Sequence, residues 1–208
     1  YYYAEESDDG FETARLIVKS AHNIDTRNAI SVASGYGDLW VLQYETPGEA
    51  KSAYSYYNGR PGIQFVEPDK KVQLCSASED KLSTAAVNFD NISWGTANSG
   101  MLTLKYELKP NLDSYKTVSI AVVDTGVNAN HEYLEGRVEP TKINTSPSGT
   151  RNSSDDDNGH GTQVASVIAD ATLSNIIIKP YKVLDKHGTG TFASVAAGIL
   201  MYAVAEDR

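Results

Sequence analysis

In this 208-residue chain, two segments each place a side chain that can hold or move a proton at one end of a regular element. The apolar run Val118–Val123 predicts a strand buried on both faces, and it delivers Asp124 at its carboxyl end, where Gly126 lets the chain turn. In the second segment glycines flank His160, and apolar residues then recur at helical spacing, which predicts a helix that starts at the imidazole. Open α/β sheets place their reactive groups at such strand ends.

A carboxylate beside an imidazole can make a general base. The carboxylate of Asp124 would hold the Nδ1–H of His160 and fix the tautomer, so that Nε2 takes a proton from a hydroxyl. The pair forms no covalent intermediate by itself, because it lacks a nucleophile. We therefore predict that Asp124 and His160 are catalytic and that a serine completes them. Taken singly, Asp124 could cap a turn and His160 could be a structural histidine.

The sequences Val-Val-Asp124-Thr-Gly and Gly-His160-Gly-Thr resemble the Asp and His motifs of the subtilisin-like serine peptidases. That family supplies its serine from a Gly-Thr-Ser-Met-Ala-like turn, and no such sequence occurs between Ala165 and Arg208. The resemblance implies the N-terminal portion of a serine endopeptidase that hydrolyses peptide bonds, with the serine and the oxyanion-hole Asn beyond Arg208. It also implies that these residues alone are inactive and that the remaining C-terminal part of the catalytic domain is a partner.

The residues after His160 continue an α/β pattern. Ile176–Leu184 predicts another buried strand, and Thr191–Ala205 predicts a helix with an apolar face. Strands and helices that alternate with short links favour a parallel sheet with right-handed crossovers. The predicted fold of residues 118–208 is therefore α/β, and the resemblance implies the N-terminal half of a subtilisin-like parallel sheet with flanking helices.

Residues 15–75 predict a separate small α+β domain after an acidic tail at residues 1–14. Its predicted elements are strands at Leu16–Val18, Asp38–Tyr44 and Ile63–Val66, a weak helix at Asn23–Ser31, and a well-marked helix that begins after Thr46 and ends at Asn58-Gly59. The second helix is well marked because Thr46 and Glu49 form a capping box and Pro47 takes the first helical position.

The order of these elements, with the sequence Pro61–Asp69, resembles the ferredoxin-like inhibitory propeptide domain of subtilisin-like proteases. Ser93-Trp94-Gly95 resembles the start of their mature domain, so residues 76–117 are interpreted as the junction and the start of the mature region. The resemblance implies a zymogen in which residues 67–80 lie in the cleft as an intramolecular inhibitor. An unrelated small α+β binding domain is the alternative.

The same resemblance predicts where a peptide substrate binds. Gly188, Thr189 and Gly190 correspond to the family's substrate-binding edge, where small residues let a peptide backbone pair as an added strand. Phe192 and Leu184 are expected to line the pocket for the fourth residue before the cleaved bond. The alternatives are a flexible turn at residues 188–190 and a place for Phe192 on the core face of its helix.

Composition limits the other functions. The net charge of −9, with no cluster of Lys and Arg, argues against a nucleic-acid partner. Cys75 is the single cysteine, which excludes an intrachain disulfide and a Cys-based metal site. No run of apolar residues is long enough for a membrane span. The resemblance, with a start that lacks Met, favours a secreted or cell-surface protein.

No cofactor is predicted, although Asp155–Asp157 leaves a calcium ion open as an alternative to a solvated loop. The calcium site common in the family is expected to be absent, because Tyr133 stands where a ligating Asp is usual. Two other functions remain. The first is a non-catalytic inhibitor or folding chaperone of a separate protease, built on residues 15–75. The second is a metal-binding module that uses Asp124, His160 and the acidic loop.

Overall fold

The computed structural model describes residues 2–3, 10–36, 38–74, 93–141, 143–147 and 153–206. Those within Tyr1–Leu74 and Thr189–Arg208 form one compact unit, and those within Cys75–Gly188 form another. Residues 75–80 of the predicted inhibitory tail, and residues 76–92 of the predicted junction region, lie outside the described residues.

The described residues form nine strands, five α-helices and two 3-10 helices. The strands are β1 (Tyr2–Tyr3), β2 (Arg15–Lys19), β3 (Ser31–Tyr36), β4 (Leu39–Gln43), β5 (Phe65–Pro68), β6 (Lys71–Leu74), β7 (Val118–Asp124), β8 (Ile176–Lys182) and β9 (Thr189–Thr191). The helices are α1 (Pro47–Tyr57), α2 (Trp94–Asn98), α3 (Met101–Leu108), α4 (His160–Ala171) and α5 (Phe192–Glu206), with 3-10 helices at Lys109–Ser114 and Glu132–Leu134.

The first unit contains a four-stranded antiparallel sheet in the order β3-β4-β2-β5. Because β2 pairs antiparallel with both β4 and β5, those two strands run in the same direction and α1 connects them across β2. The predicted capping box is present, since Thr46 Oγ1 accepts from the Glu49 backbone N–H while the Glu49 carboxylate accepts from the Thr46 N–H. Ala50, Ala53 and Tyr57 of α1 are buried against the sheet.

The helix predicted at Asn23–Ser31 is wrong, and β3 begins at Ser31 instead. Arg27 and Asn28 adopt left-handed backbone angles, with φ of 54° and 62°, which a right-handed helix cannot accommodate. Tyrosines from the packed core fix this loop: the Tyr57 hydroxyl donates to the Asp25 carbonyl, and the Tyr44 hydroxyl donates to the Thr26 carbonyl at 3.1 Å. Tertiary hydrogen bonds from Tyr57 and Tyr44 therefore stabilise a loop here in place of the helix that the local sequence weakly favours.

A second sheet of the first unit has the order β1-β6-β9. Strands β6 and β9 are antiparallel, with Val72 opposite Gly190, and the Phe192 N–H donates to the Lys70 carbonyl at 3.0 Å. Since Phe192 opens α5, this pairing brings the residues just before β6 to the N-terminus of that helix.

Asp69 lies at the N-terminus of α5 and is fully buried. Its Oδ1 accepts from the Ala193 N–H at 2.7 Å, and its Oδ2 lies 2.5 Å from Nη2 of Arg15 on β2. Arg15 Nη2 also donates to Thr191 Oγ1 at 3.0 Å. Burial raises the pKa of Asp69, and the charge of Arg15 and the helix N–H oppose that effect. Asp69 therefore joins β2, β9 and α5.

The second unit is built on the parallel pair β7 and β8, in register from Val118 opposite Ile176 to Asp124 opposite Lys182. Helix α4 packs on this pair, and the core contains Val122, Val127, Leu134, Ala165, Ala169 and Ile178. The parallel pairing predicted from the alternation of strand and helix is confirmed. None of the helices described here has the length and apolarity needed to cross a membrane.

Arg137 closes the far end of α4. Its guanidinium donates to the carbonyls of Ala169, Thr172 and Ile176 at 3.1, 3.4 and 3.1 Å, and to Thr172 Oγ1 at 2.8 Å. A cation is favoured there because the last carbonyls of a helix carry partial negative charge. Arg137 therefore ties the end of α4 to the start of β8.

We predict that Asp69→Asn lowers the free energy of unfolding of this chain by about 3 kcal/mol, because it leaves the Arg15 charge without its partner. Urea denaturation followed by circular dichroism measures the change. Glu67→Gln, an exposed site on β5, is the matched control and should change stability by less than about 0.5 kcal/mol. Equal stabilities of the two variants would contradict this role of Asp69.

Candidate active site

Asp124 is held rigidly at the carboxyl end of β7. Its carbonyl accepts from the N–H groups of Val183 and Leu184 at 2.8 and 3.2 Å, and its Oδ1 accepts from the Thr125 N–H at 2.6 Å. The residue is only 6% exposed. Burial and these bonds fix the direction of the carboxylate, as a group that orients another side chain requires.

His160 is the first residue of α4, preceded by Gly159 with φ of 106°. Its Nδ1 lies 2.9 Å from both Oδ1 and Oδ2 of Asp124. The carboxylate therefore favours the tautomer that carries the proton on Nδ1 and leaves Nε2 as an acceptor. The His160 side chain is 40% exposed against 8% for Asp124, so the imidazole can meet a substrate or a further catalytic group. The structure thus brings the two predicted catalytic residues together.

Two glycines allow the strand end and the helix start to approach this closely. A Cβ on Gly161 would overlap the carbonyl oxygen of Gly126, and a Cβ on Gly126 would overlap the carbonyls of Ser154 and Asp155. Gly126 also has φ of 105°, a left-handed conformation that favours glycine. Gly161 is therefore needed for the close contact between the backbone of α4 and the Gly126 carbonyl.

Sequence reasoning missed Lys182 near the pair, and it missed the hydrogen-bonding roles of Asp156 and Asp157, which it considered only as possible metal ligands. Asp156 accepts hydrogen bonds at the start of α4, and Lys182 Nζ donates to the Thr125 carbonyl at 2.5 Å and to Asp157 Oδ1 at 2.6 Å. Lys182 is 3% exposed. The available signal was a lysine within the apolar run that predicts β8, together with a run of carboxylates that could neutralise it.

The acidic loop bears on the calcium alternative. Among the described residues, no group of three or more His, Cys, Asp or Glu side chains is arranged to hold a metal ion. The carboxylates of Asp156 and Asp157 face N–H, O–H and ammonium donors, with which a calcium ion would compete. Calcium at this loop stays an alternative to a solvated loop.

The predicted substrate-binding residues fall in both units. Leu184 is fully buried, and Gly188 follows a turn in which its N–H donates to the Asp185 carbonyl at 2.9 Å. Thr189 and Gly190 lie on β9, paired with Gln73 and Val72. Phe192 is partly buried at the start of α5. Their role in binding substrate stays a prediction.

Comparison with known proteins finds a family match over part of each unit. Residues 115–205 match Peptidase_S8, the subtilase family. A protein named "Subtilisin" from Bacillus sp. (strain TA39) is 28% identical over 207 residues, which cover 92% of this chain and 47% of that protein. An "Extracellular serine proteinase" from Thermus sp. (strain Rt41A) is 28% identical over 143 residues, which cover 67% of this chain and 32% of that protein.

A solved structure shows the fold. The crystal structure of fervidolysin from Fervidobacterium pennivorans, described as a keratinolytic enzyme related to subtilisin, aligns with 98% of this chain at a TM-score of 0.64 and 20% identity. The alignment covers 36% of the fervidolysin chain. The first curated relatives are likewise longer, since this chain spans 26%, 27% and 47% of their lengths.

We predict that Gly161→Ala separates His160 from Asp124 and destabilises the chain by at least about 1–3 kcal/mol, because the new methyl group overlaps the Gly126 carbonyl. The hydrogen-bonded Nδ1–H signal of His160 in the NMR spectrum should disappear. Gly95→Ala in α2 is the matched control, because a Cβ there meets no atom within 4 Å. A retained Nδ1–H signal in Gly161→Ala would refute the steric argument.

Proposed function

We propose, because residues 115–205 of this chain match the subtilase family, that the chain is the N-terminal part of a serine endopeptidase precursor. The observation that carries the proposal is the distance of 2.9 Å from His160 Nδ1 to both carboxylate oxygens of Asp124. The buried carboxylate and the half-exposed imidazole are the orienting and proton-transferring members of a triad.

In the proposed mechanism, a serine supplied by residues beyond these 208 attacks the carbonyl carbon of the scissile peptide bond. Nε2 of His160 takes the serine proton as the C–O bond forms, and Asp124 stabilises the resulting imidazolium through Nδ1–H. The C–N bond then breaks as His160 gives its proton to the leaving amine. Water hydrolyses the acyl-enzyme by the same proton transfers in reverse order, which releases the acid and regenerates the serine hydroxyl.

We further propose that residues 15–75 are an inhibitory propeptide domain. The strand order β3-β4-β2-β5 with one crossover helix supports this, because it is the ferredoxin-like order without the first helix. The antiparallel pairing of β6 with β9 also supports it, because a substrate peptide would use the same backbone groups of Thr189–Thr191. A tethered strand has a high effective concentration, so a weak intrinsic affinity suffices.

A peptide or protein substrate and the C-terminal part of the catalytic domain are the proposed partners. Secretion or cell-surface location is proposed because a relative is named an extracellular proteinase. The family match over residues 115–205 does not favour a non-catalytic inhibitor or chaperone. A metal-binding module is not favoured either, because Asp124 and His160 have no third ligand of suitable type among the described residues.

We expect a fluorophosphonate probe to leave the 208-residue chain unlabelled and to label one serine of a longer protein that includes the C-terminal part. In that longer protein, His160→Ala should lower kcat by about 10⁴-fold or more, and Asp124→Asn by a similar factor, with folding retained. His187→Ala and Asp113→Asn, at exposed positions, are the matched controls. Near-parental turnover in either active-site variant would remove that residue from the mechanism, and stoichiometric labelling of the short chain would show that it contains its own nucleophile.

We expect Val72→Pro to raise the peptidase activity of the uncleaved longer precursor, because proline cannot donate a backbone hydrogen bond from the residue opposite Gly190. Hydrolysis of a soluble peptide substrate measures this. Lys71→Ala, an exposed position on the same strand, should keep the precursor inhibited. Equal low activity of the Val72→Pro and parent precursors would argue against inhibition by this strand.

A further inference from the structure

Asp156 is the most heavily hydrogen-bonded carboxylate near the Asp124–His160 pair. Its Oδ1 accepts from Thr125 Oγ1 at 2.8 Å and from the N–H groups of Asn158 and Gly159 at 3.1 and 2.8 Å. Its Oδ2 accepts from the N–H and the hydroxyl of Thr162 at 2.9 and 2.6 Å. One carboxylate therefore holds the turn before α4, the first turn of α4 and the residue after β7.

These donors flank the two catalytic residues on both sides. Thr125 follows Asp124 directly, Gly159 precedes His160 directly, and Thr162 lies two residues into α4. Thr125 Oγ1 is the link, because it donates to Asp156 and accepts from the Gly161 N–H at 3.0 Å. A shift of Asp156 would therefore move the strand end and the helix start relative to each other.

The charge of Asp156 suits this position. A negative group at the N-terminus of the 12-residue helix α4 is stabilised by the helix dipole. Burial by itself would raise the pKa of Asp156, but the hydrogen bonds from Gly159, Thr162 and Thr125 outweigh burial and lower the pKa below its ordinary value. The stabilisation is thus complete above about pH 4 and is lost only as the pH falls through the lowered pKa.

Asp157 supports the same link from the opposite direction. Its Oδ1 binds Lys182 Nζ at 2.6 Å, and that ammonium donates to the Thr125 carbonyl at 2.5 Å. Lys182 lies opposite Asp124 in the register of β7 and β8. Thr125 is therefore held through its hydroxyl by Asp156 and through its carbonyl by Lys182, and the residue is fully buried.

We propose that Asp156 is the positioning residue of the Asp124–His160 pair and that it acts through the hydroxyl of Thr125. The proposal rests on the proposed function for its catalytic consequence, but the positioning is measurable without catalysis. An isosteric amide cannot replace this carboxylate, because its NH₂ group would face a donor from either Thr125 and Gly159 or Thr162. Loss of the link loosens the contact between His160 Nδ1 and Asp124, and proton transfer by Nε2 becomes less effective.

The first test uses the 208-residue chain and the solvent exchange of the His160 Nδ1–H, measured by NMR with ¹⁵N-labelled histidine. Asp156→Asn and Thr125→Val should each accelerate this exchange about tenfold, the equivalent of one lost hydrogen bond. Asp155→Asn removes the same charge from the exposed neighbouring residue and should stay within about twofold of the parent. Thr125→Ser retains the hydroxyl and should preserve slow exchange.

Circular dichroism checks that each variant is folded. If Asp156→Asn fails to fold, Thr125→Val decides, because it removes only one of the bonds to Asp156. Parental exchange rates in the folded variants would overturn the proposal. So would acceleration by Asp155→Asn equal to that by Asp156→Asn, because general loop charge would then explain the effect.

The second test uses the longer, active protein and separates this proposal from the proposed function. Asp156→Asn should lower kcat at least about tenfold with KM unchanged, since the residue acts on the base. A raised KM with parental kcat would overturn positioning in favour of substrate binding. Accelerated exchange in the short chain, with a longer protein that has no peptidase activity, would refute the proposed function and leave the positioning role intact.

Discussion

The contact between Gly126 and Gly161 is the constraint on which the candidate site depends. A carboxylate at the end of a strand and an imidazole at the start of a helix can share a hydrogen bond only if the two backbones nearly touch. Any side chain at Gly161 would overlap the Gly126 carbonyl, so the 2.9 Å distances between His160 and Asp124 require glycine at that position. The two glycines make the contact between Asp124 and His160 sterically possible, and the hydrogen bonds around Asp124 and Thr125 then stabilise it.

Each unit uses an aspartate at the start of a helix to join elements that are distant in sequence. Asp156 accepts N–H groups of α4 and its preceding turn and reaches Thr125, which follows β7. Asp69 accepts the Ala193 N–H of α5 and pairs with Arg15 on β2. A helix N-terminus presents unpaired N–H groups, so a buried carboxylate there is both satisfied and fixed in direction. At the carboxyl end of α4, Arg137 donates to the carbonyls of Ala169 and Thr172.

The N-terminal domain and the segment Thr189–Glu206 form one unit, and this organisation gives the proposed inhibition a physical basis. The backbone pairing of Val72 with Gly190 is independent of side-chain identity, so the same strand could accept many peptides. The side chains of Asp69 and Arg15, by contrast, join β2 to Thr191 and to the start of α5. Lys71–Gln73 thus pair with β9 through the backbone, while Asp69, two residues earlier, is anchored through its side chain.

The sequence by itself determined the local features: strand β7 and helix α4 that carry Asp124 and His160, the capping box of α1, and the alternation that predicts a parallel pair. These follow from periodicity and short-range hydrogen bonds, which adjacent residues encode. Only the tertiary structure decided the loop at residues 20–30, the positions of β3 and β6, and the partners of Asp69, Asp156 and Lys182. Those depend on groups far apart in the chain, and whether a carboxylate binds an ammonium, a helix N–H or water is settled only when packing excludes solvent and selects the neighbour.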